Sequence, residues 1–211
     1  MKPHPPHPQR QRGETLVGLL VGIALGMLVL AAGAQMLAQL LRGHRQALQD
    51  SHLQQDLHFA LDLMARELAN AQYAAHAWRT RKPGGCDDNF CDAAADFQLG
   101  GNRIEFSTDR DHSGQQDNNE CQGFRVSDGV LSKRTNCSAS GWQPLTDKSP
   151  AVVTALQAQL RCSPADGWLQ RQLDLRLQAR WPDDPGRQLQ LQRSVPLHTL
   201  LPISVQARFC P

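Results

Sequence analysis

Between Thr15 and Leu41 the chain has no charged residue, and positions 16 to 34 are apolar or glycine throughout. About 20 such residues, rising 1.5 Å each, match a bilayer core of roughly 30 Å, so the pattern predicts a helix that enters or spans a membrane. Beyond Arg42 the pattern becomes amphipathic. Leu53, Leu57, Leu61, Met64 and Leu68 recur at helical spacing, with Gln54, Gln55, Asp56, Asp62, Arg66 and Glu67 between them. No proline falls between residues 9 and 82, and the first strong breaker is Lys82-Pro83-Gly84-Gly85. One helix from about Thr15 to about Ala77, roughly 60 residues and roughly 90 Å long, is the expectation. Its first half wants lipid or helices of the same kind, and its second half wants a domain packed along one side.

Past Gly85 the period shortens to two. Ile104 and Phe106 share a face within 102–108, and segments 123–126 and 130–134 flank Ser127-Asp128-Gly129, which reads as a hairpin turn. Leu169, Leu173, Leu175, Leu177, Ala179 and Trp181 alternate with polar residues. After Pro182-Asp183-Asp184-Pro185-Gly186, Leu189, Leu191, Val195 and Leu197 alternate again, predicting a long antiparallel hairpin with one buried face. The expected fold class is α+β: a long N-terminal α-helix packed on an antiparallel β-sheet of four or more strands.

The composition, 40% hydrophobic and 20% charged, is that of a globular chain and excludes collagen-like, coiled-coil and wholly disordered classes. The formal net charge is +2, but Lys2, Arg10 and Arg12 precede the apolar run without any acid among the first thirteen residues, which leaves the remainder slightly negative. No basic footprint for nucleic acid remains. The positive leader instead predicts a cytoplasmic N-terminus and a single-pass topology, with the bulk of the chain on the far side of the membrane.

Export agrees with the cysteines. All six (Cys86, Cys91, Cys121, Cys137, Cys162, Cys210) lie beyond the helix, and an even count there reads as disulfides. Nearness in sequence favours Cys86 with Cys91 and Cys121 with Cys137, leaving Cys162 for Cys210. Zinc is the rival use, but no CxxC pair or histidine at ligand spacing accompanies them.

The segment Asp109-Arg110-Asp111-His112-Ser113-Gly114-Gln115-Gln116-Asp117-Asn118-Asn119-Glu120 fits the calcium-loop spacing D-x-[DN]-x-[DNS]-G-x5-E. Asp109, Asp111, Ser113, Asp117 and Glu120, with the main-chain carbonyl of Gln115, would supply the oxygens that calcium requires. The bland reading is a solvated Asp/Asn/Gly-rich connection between strands.

Gly13-Glu14-Thr15-Leu16-Val17-Gly18-Leu19-Leu20-Val21, after its basic leader, resembles the cleavage and methylation motif of type IV prepilins and pseudopilins. Glycine suits a scissile bond because it is flexible and has no side chain. The resemblance implies cleavage between Gly13 and Glu14 by prepilin peptidase, N-methylation of Glu14, and a type IV pilin-like fold. It divides the chain into a leader (1–13), a transmembrane and assembly half of the helix (14–41), an amphipathic half (42–82) and an exported disulfide-bearing β domain (83–211). The family's usual first mature residue is Phe where this chain has Glu14, and its glutamate at the fifth mature position is here Gly18. These departures favour a minor subunit over a filament-forming one. The order Cys-rich segment, strand ending in Asp109, Asp/Gly loop, Gly123-Phe124-Arg125-Val126, hairpin, Cys137 and Gly141-Trp142-Gln143-Pro144-Leu145-Thr146-Asp147 is similar to the minor pilins of the PilW-like, prepilin-peptidase-dependent protein B group. The partners implied are other minor and major pilins, prepilin peptidase and an inner-membrane assembly platform, with a place on the pilus or a type II secretion-like filament after assembly.

Two other readings remain open. Ala32-Gly33-Ala34 is a small-x-small site behind an apolar core, so signal peptidase could release a secreted calcium-binding β module after Ala34. A plain single-pass anchor would retain Met1. No GxSxG, HExxH, P-loop or GxGxxG motif occurs, so the chain is not expected to be an enzyme.

Overall fold

The computed structural model describes residues 16–149 and 151–210. It divides into two compact units, Met1–Leu48 and Gln49–Pro211, and the helix α1, Leu16–Ala69, contributes to both. In the first unit no described residue is buried, and Leu16, Val29 and Leu30 are 76%, 70% and 74% exposed. Apart from the local backbone of the helix itself, no heavy atom among the described residues lies within 4 Å of where a Cβ on Gly22, Gly26 or Gly33 would stand.

In the second unit the stripe read from spacing is the buried one: Leu53, Leu57, Leu61, Met64 and Leu68 are at most 3% exposed, and Ala60 and Ala65 fill the gaps between them. The helix ends at Ala69 rather than near Ala77. The reason is tertiary. Gln72 takes a left-handed φ of 60° and is fully buried. Its amide donates to Ser107 O (2.7 Å) and its Nε2 to Phe90 O (3.1 Å), partners that outweigh another helical turn.

A single turn of helix, Ala77–Thr80, leads into a two-stranded ribbon of β1, Arg81–Lys82, and β2, Gly85–Cys86. A five-stranded antiparallel sheet follows in chain order: β3, Phe97–Gly100; β4, Arg103–Ser107; β5, Cys121–Ser127; β6, Val130–Arg134; and β7, Trp142–Pro144. The last sheet is a meander of β8, Val152–Ala165, β9, Trp168–Arg180, and β10, Gln188–Pro202, with β9 at its centre. The single sheet expected from periodicity is therefore two. Their strands differ greatly in length, and β8 joins the shorter strands by isolated bonds rather than a ladder: Val153 N to Gly129 O (2.9 Å) and Leu156 N to Asn102 Oδ1 (2.9 Å). One continuous apolar core spans α1, both sheets and the C-terminal turn at Val205 and Phe209.

Two turns fix the registers. Asp128 (φ 52°) and Gly129 (φ 80°) join β5 to β6, and Asp166 (φ 49°) and Gly167 (φ 83°) join β8 to β9. Two successive left-handed residues make the type I′ turn that matches strand twist. At Gly129 a Cβ would come within 2.7 Å of Val152 Cγ1, so glycine is needed there for space as well. Three disulfides, Cys86–Cys91, Cys121–Cys137 and Cys162–Cys210, staple this unit.

Beneath the helix end lies a buried polar network. Asp88 accepts from Arg81 Nε (2.7 Å) and Nη2 (3.0 Å), Thr80 Oγ1 (2.9 Å) and Phe90 N (3.1 Å). Arg171 donates from Nη1 to Gln72 Oε1 (2.5 Å) and is 3% exposed. Burial, and then the charge of Arg81, hold the Arg171 guanidinium down to about 9.

A second buried acid, Asp96, accepts from Ala93 N (2.9 Å), and burial pushes its carboxyl up to about 6. A raised acid binds a proton in the folded state that the unfolded chain releases. Its stabilising contribution is complete below the unfolded value of 3.8 and is lost as pH rises through about 6. Asp96→Asn, which keeps an acceptor for Ala93, is expected to stabilise the protein at pH 7 by about 1–3 kcal/mol and to have little effect at pH 4. Denaturant unfolding at both pH values checks this; equal effects at the two would refute it.

Candidate functional site

The connection between β4 and β5 is held at its base from several directions. Thr108 N donates to Glu120 O (3.1 Å), Asp109 N to Tyr73 O (2.9 Å) and Thr108 Oγ1 to Asn70 O (3.1 Å). The Cys121–Cys137 disulfide and the bond from Cys137 N to Asn118 O (2.8 Å) close the other side. Two residues within it are left-handed, His112 (φ 63°) and Gly114 (φ 75°), so that the chain folds back over its own acidic side chains. The His112 ring stands edge-on to Tyr73 at 5.7 Å.

Folding back gathers three of the six residues predicted from spacing. One carboxylate oxygen from each of Asp109, Asp111 and Glu120 lies within 4.8 Å of the other two. Asp109 and Glu120 are buried, at 2% and 0% exposed, while Asp111 faces solvent. Main-chain amides orient all three. Asp109 Oδ2 accepts from Ala75 N (2.8 Å) and Gly114 N (3.1 Å), and Glu120 accepts from Arg110 N (2.6 Å) and Asp117 N (2.8 Å). Asp111 accepts from Ser113 N (2.9 Å), and that main-chain bond holds its carboxyl below the usual carboxylate range. Asp109 Oδ1 is buried and has no hydrogen-bond partner among the described residues.

The other three residues are placed differently. Asp117 is engaged with Glu120 through its main chain: its amide donates to the Glu120 carboxylate (2.8 Å) and its carbonyl accepts from Glu120 N (3.1 Å). The Ser113 hydroxyl donates to Gln115 O (3.0 Å) and accepts from Gln115 N (3.1 Å), so these two residues are engaged with each other. Sequence reasoning missed Ala75, whose amide fixes Asp109 from beyond the helix end. It also missed Arg171, which occupies a buried position of β9 in phase with Leu169 and Leu173. A charge standing in the apolar phase of an alternating strand is a signal for a buried partner.

Cys86, Asp88 and Cys91 also converge, but both sulfurs are in the disulfide and Asp88 is taken up by Arg81. This cluster is structural.

Among the described residues, one helix, α1, is long and apolar enough to cross a membrane, and its apolar window is not buried by the protein. The expected processing residues Gly13 and Glu14, immediately before it, lie outside the described residues. No curated protein and no solved structure matches the chain. The family model for PpdB, prepilin peptidase-dependent protein B, matches residues 46–197, which takes in the amphipathic part of α1, the five-stranded sheet, β8, β9 and most of β10. The chain belongs to the prepilin peptidase-dependent protein B family.

Proposed function

We propose that the protein is a minor type IV pilin or pseudopilin, trimmed by prepilin peptidase between Gly13 and Glu14 and methylated on Glu14. The observation that carries this reading is the exposed apolar helix directly following the Gly13-Glu14 pair, in a chain of a prepilin-peptidase-dependent family. Before assembly that helix is held in the inner membrane with its start on the cytoplasmic side and the disulfide-bearing unit in the periplasm. Assembly then exchanges lipid for the helices of other pilins. Gly22, Gly26 and Gly33 suit this exchange because small residues let helix backbones approach closely. Its partners are the peptidase, an assembly platform and neighbouring subunits, and its role is structural.

Intact-mass and N-terminal analysis of the protein isolated from membranes tests the proposal. A chain beginning at methylated Glu14 is expected, and Gly13→Leu should leave the leader attached in essentially all molecules. A mature chain beginning at Gln35, or one retaining Met1 in the unsubstituted protein, would refute it.

A further inference from the structure

We propose that Asp109, Asp111 and Glu120 form a binding site for one calcium ion, independently of how the N-terminus is processed. Three carboxylates meet within 4.8 Å, two of them buried, and among the described residues no lysine or arginine forms an ion pair with any of them. Main-chain amides satisfy one oxygen of Asp109 and both of Glu120, but Asp109 Oδ1 is left buried without a partner among the described residues. A buried, unpaired anionic oxygen is costly, and so is crowding three carboxylates; one divalent cation relieves both. The donors are all oxygen, with no sulfur or imidazole nitrogen among them, which is the chemistry of a hard cation. The carboxylate of Asp117, in the same loop, and water would complete the six to eight oxygens that calcium takes; magnesium demands a smaller and more regular octahedron.

Binding would couple two parts of the unit. Asp109 holds Ala75, in the segment after α1, and Glu120 holds the amides of Arg110 and Asp117 within the loop. An ion shared by both carboxylates clamps the loop to the end of the helix. On the oxidising side of the membrane, where the disulfides form, a site with millimolar-range affinity is enough.

The test uses the full chain in detergent micelles after treatment with chelator. Equilibrium dialysis against radiolabelled calcium is expected to give one ion per chain, saturating at about 0.1–1 mM. A calcium concentration a hundredfold above the dissociation constant should raise Tm by about 5–10 °C. Asp111→Asn keeps an acceptor for Ser113 N and removes one of three crowded charges, so it should not lower the metal-free Tm while weakening binding at least about tenfold. Asp109→Asn keeps an acceptor for Ala75 and Gly114 and should weaken binding similarly; if that variant fails to fold, Asp111→Asn alone carries the test. No binding at about 10 mM calcium, a site unaffected by Asp111→Asn, or an equal Tm shift with magnesium would overturn the proposal.

Discussion

Replacing Asp88 with alanine is expected to destabilise the disulfide-bearing unit by about 3–5 kcal/mol, a large share of a typical domain's stability. Asp88 is 5% exposed and is the carboxylate that pairs with Arg81 in this buried network. Removing it leaves Arg81 without an anion in low dielectric, beside Arg171, whose guanidinium is already held down by burial and by Arg81. It also frees Thr80 Oγ1 and the amide of Phe90. Asp88→Asn, which preserves acceptor capacity, should lose less. Adding Arg171→Met to Asp88→Ala should recover part of the loss, because it removes one of the two like charges. Denaturant unfolding of the three variants measures all of this. A loss below about 1 kcal/mol for Asp88→Ala would show that the network contributes little.

The second large effect concerns the disulfides. They close loops with sequence separations of 5, 16 and 48 residues. If a cross-link acts chiefly by restricting the unfolded chain, replacing both cysteines by alanine should cost about 2 kcal/mol for Cys86–Cys91, about 3 for Cys121–Cys137 and about 4 for Cys162–Cys210. The last bridge ties the C-terminal turn, with buried Phe209, to β8, and Arg208 Nη1 reaches Cys91 O (2.9 Å) from the same turn. Proteolysis of that double variant should therefore begin in the segment after β10. A reversed order of stability losses would mean that strain or residual structure, not loop length, sets the contributions.

What the chain discloses before folding follows from where one periodicity dominates. The leucine and methionine stripe of α1 was legible because five large apolar residues share one helical face and nothing competes for them. The β9–β10 hairpin was legible for the equivalent reason at period two. β8 was harder to see, because its buried positions Val153, Leu156 and Leu160 break strict alternation at the register shift between Val153 and Ala155. The end of α1 was not visible at all. It depends on Ser107 and Phe90, distant in sequence, competing for the amide and side chain of Gln72. At the acidic loop, spacing named the carboxylates that converge. It could not show that Ser113 and Gln115 satisfy each other, or that an amide from beyond the helix would anchor Asp109.

The open glycines of the first unit have one last implication. Since a methyl group at Gly22, Gly26 or Gly33 meets nothing among the described residues beyond the local backbone of its own helix, and alanine favours a helix over glycine, such a change should leave the isolated chain intact or slightly better folded. If the chain assembles as proposed, any phenotype such a change produces in a cell would report on neighbouring helices, which makes these three positions clean genetic reporters for crowding between subunits, separable from damage to the molecule itself.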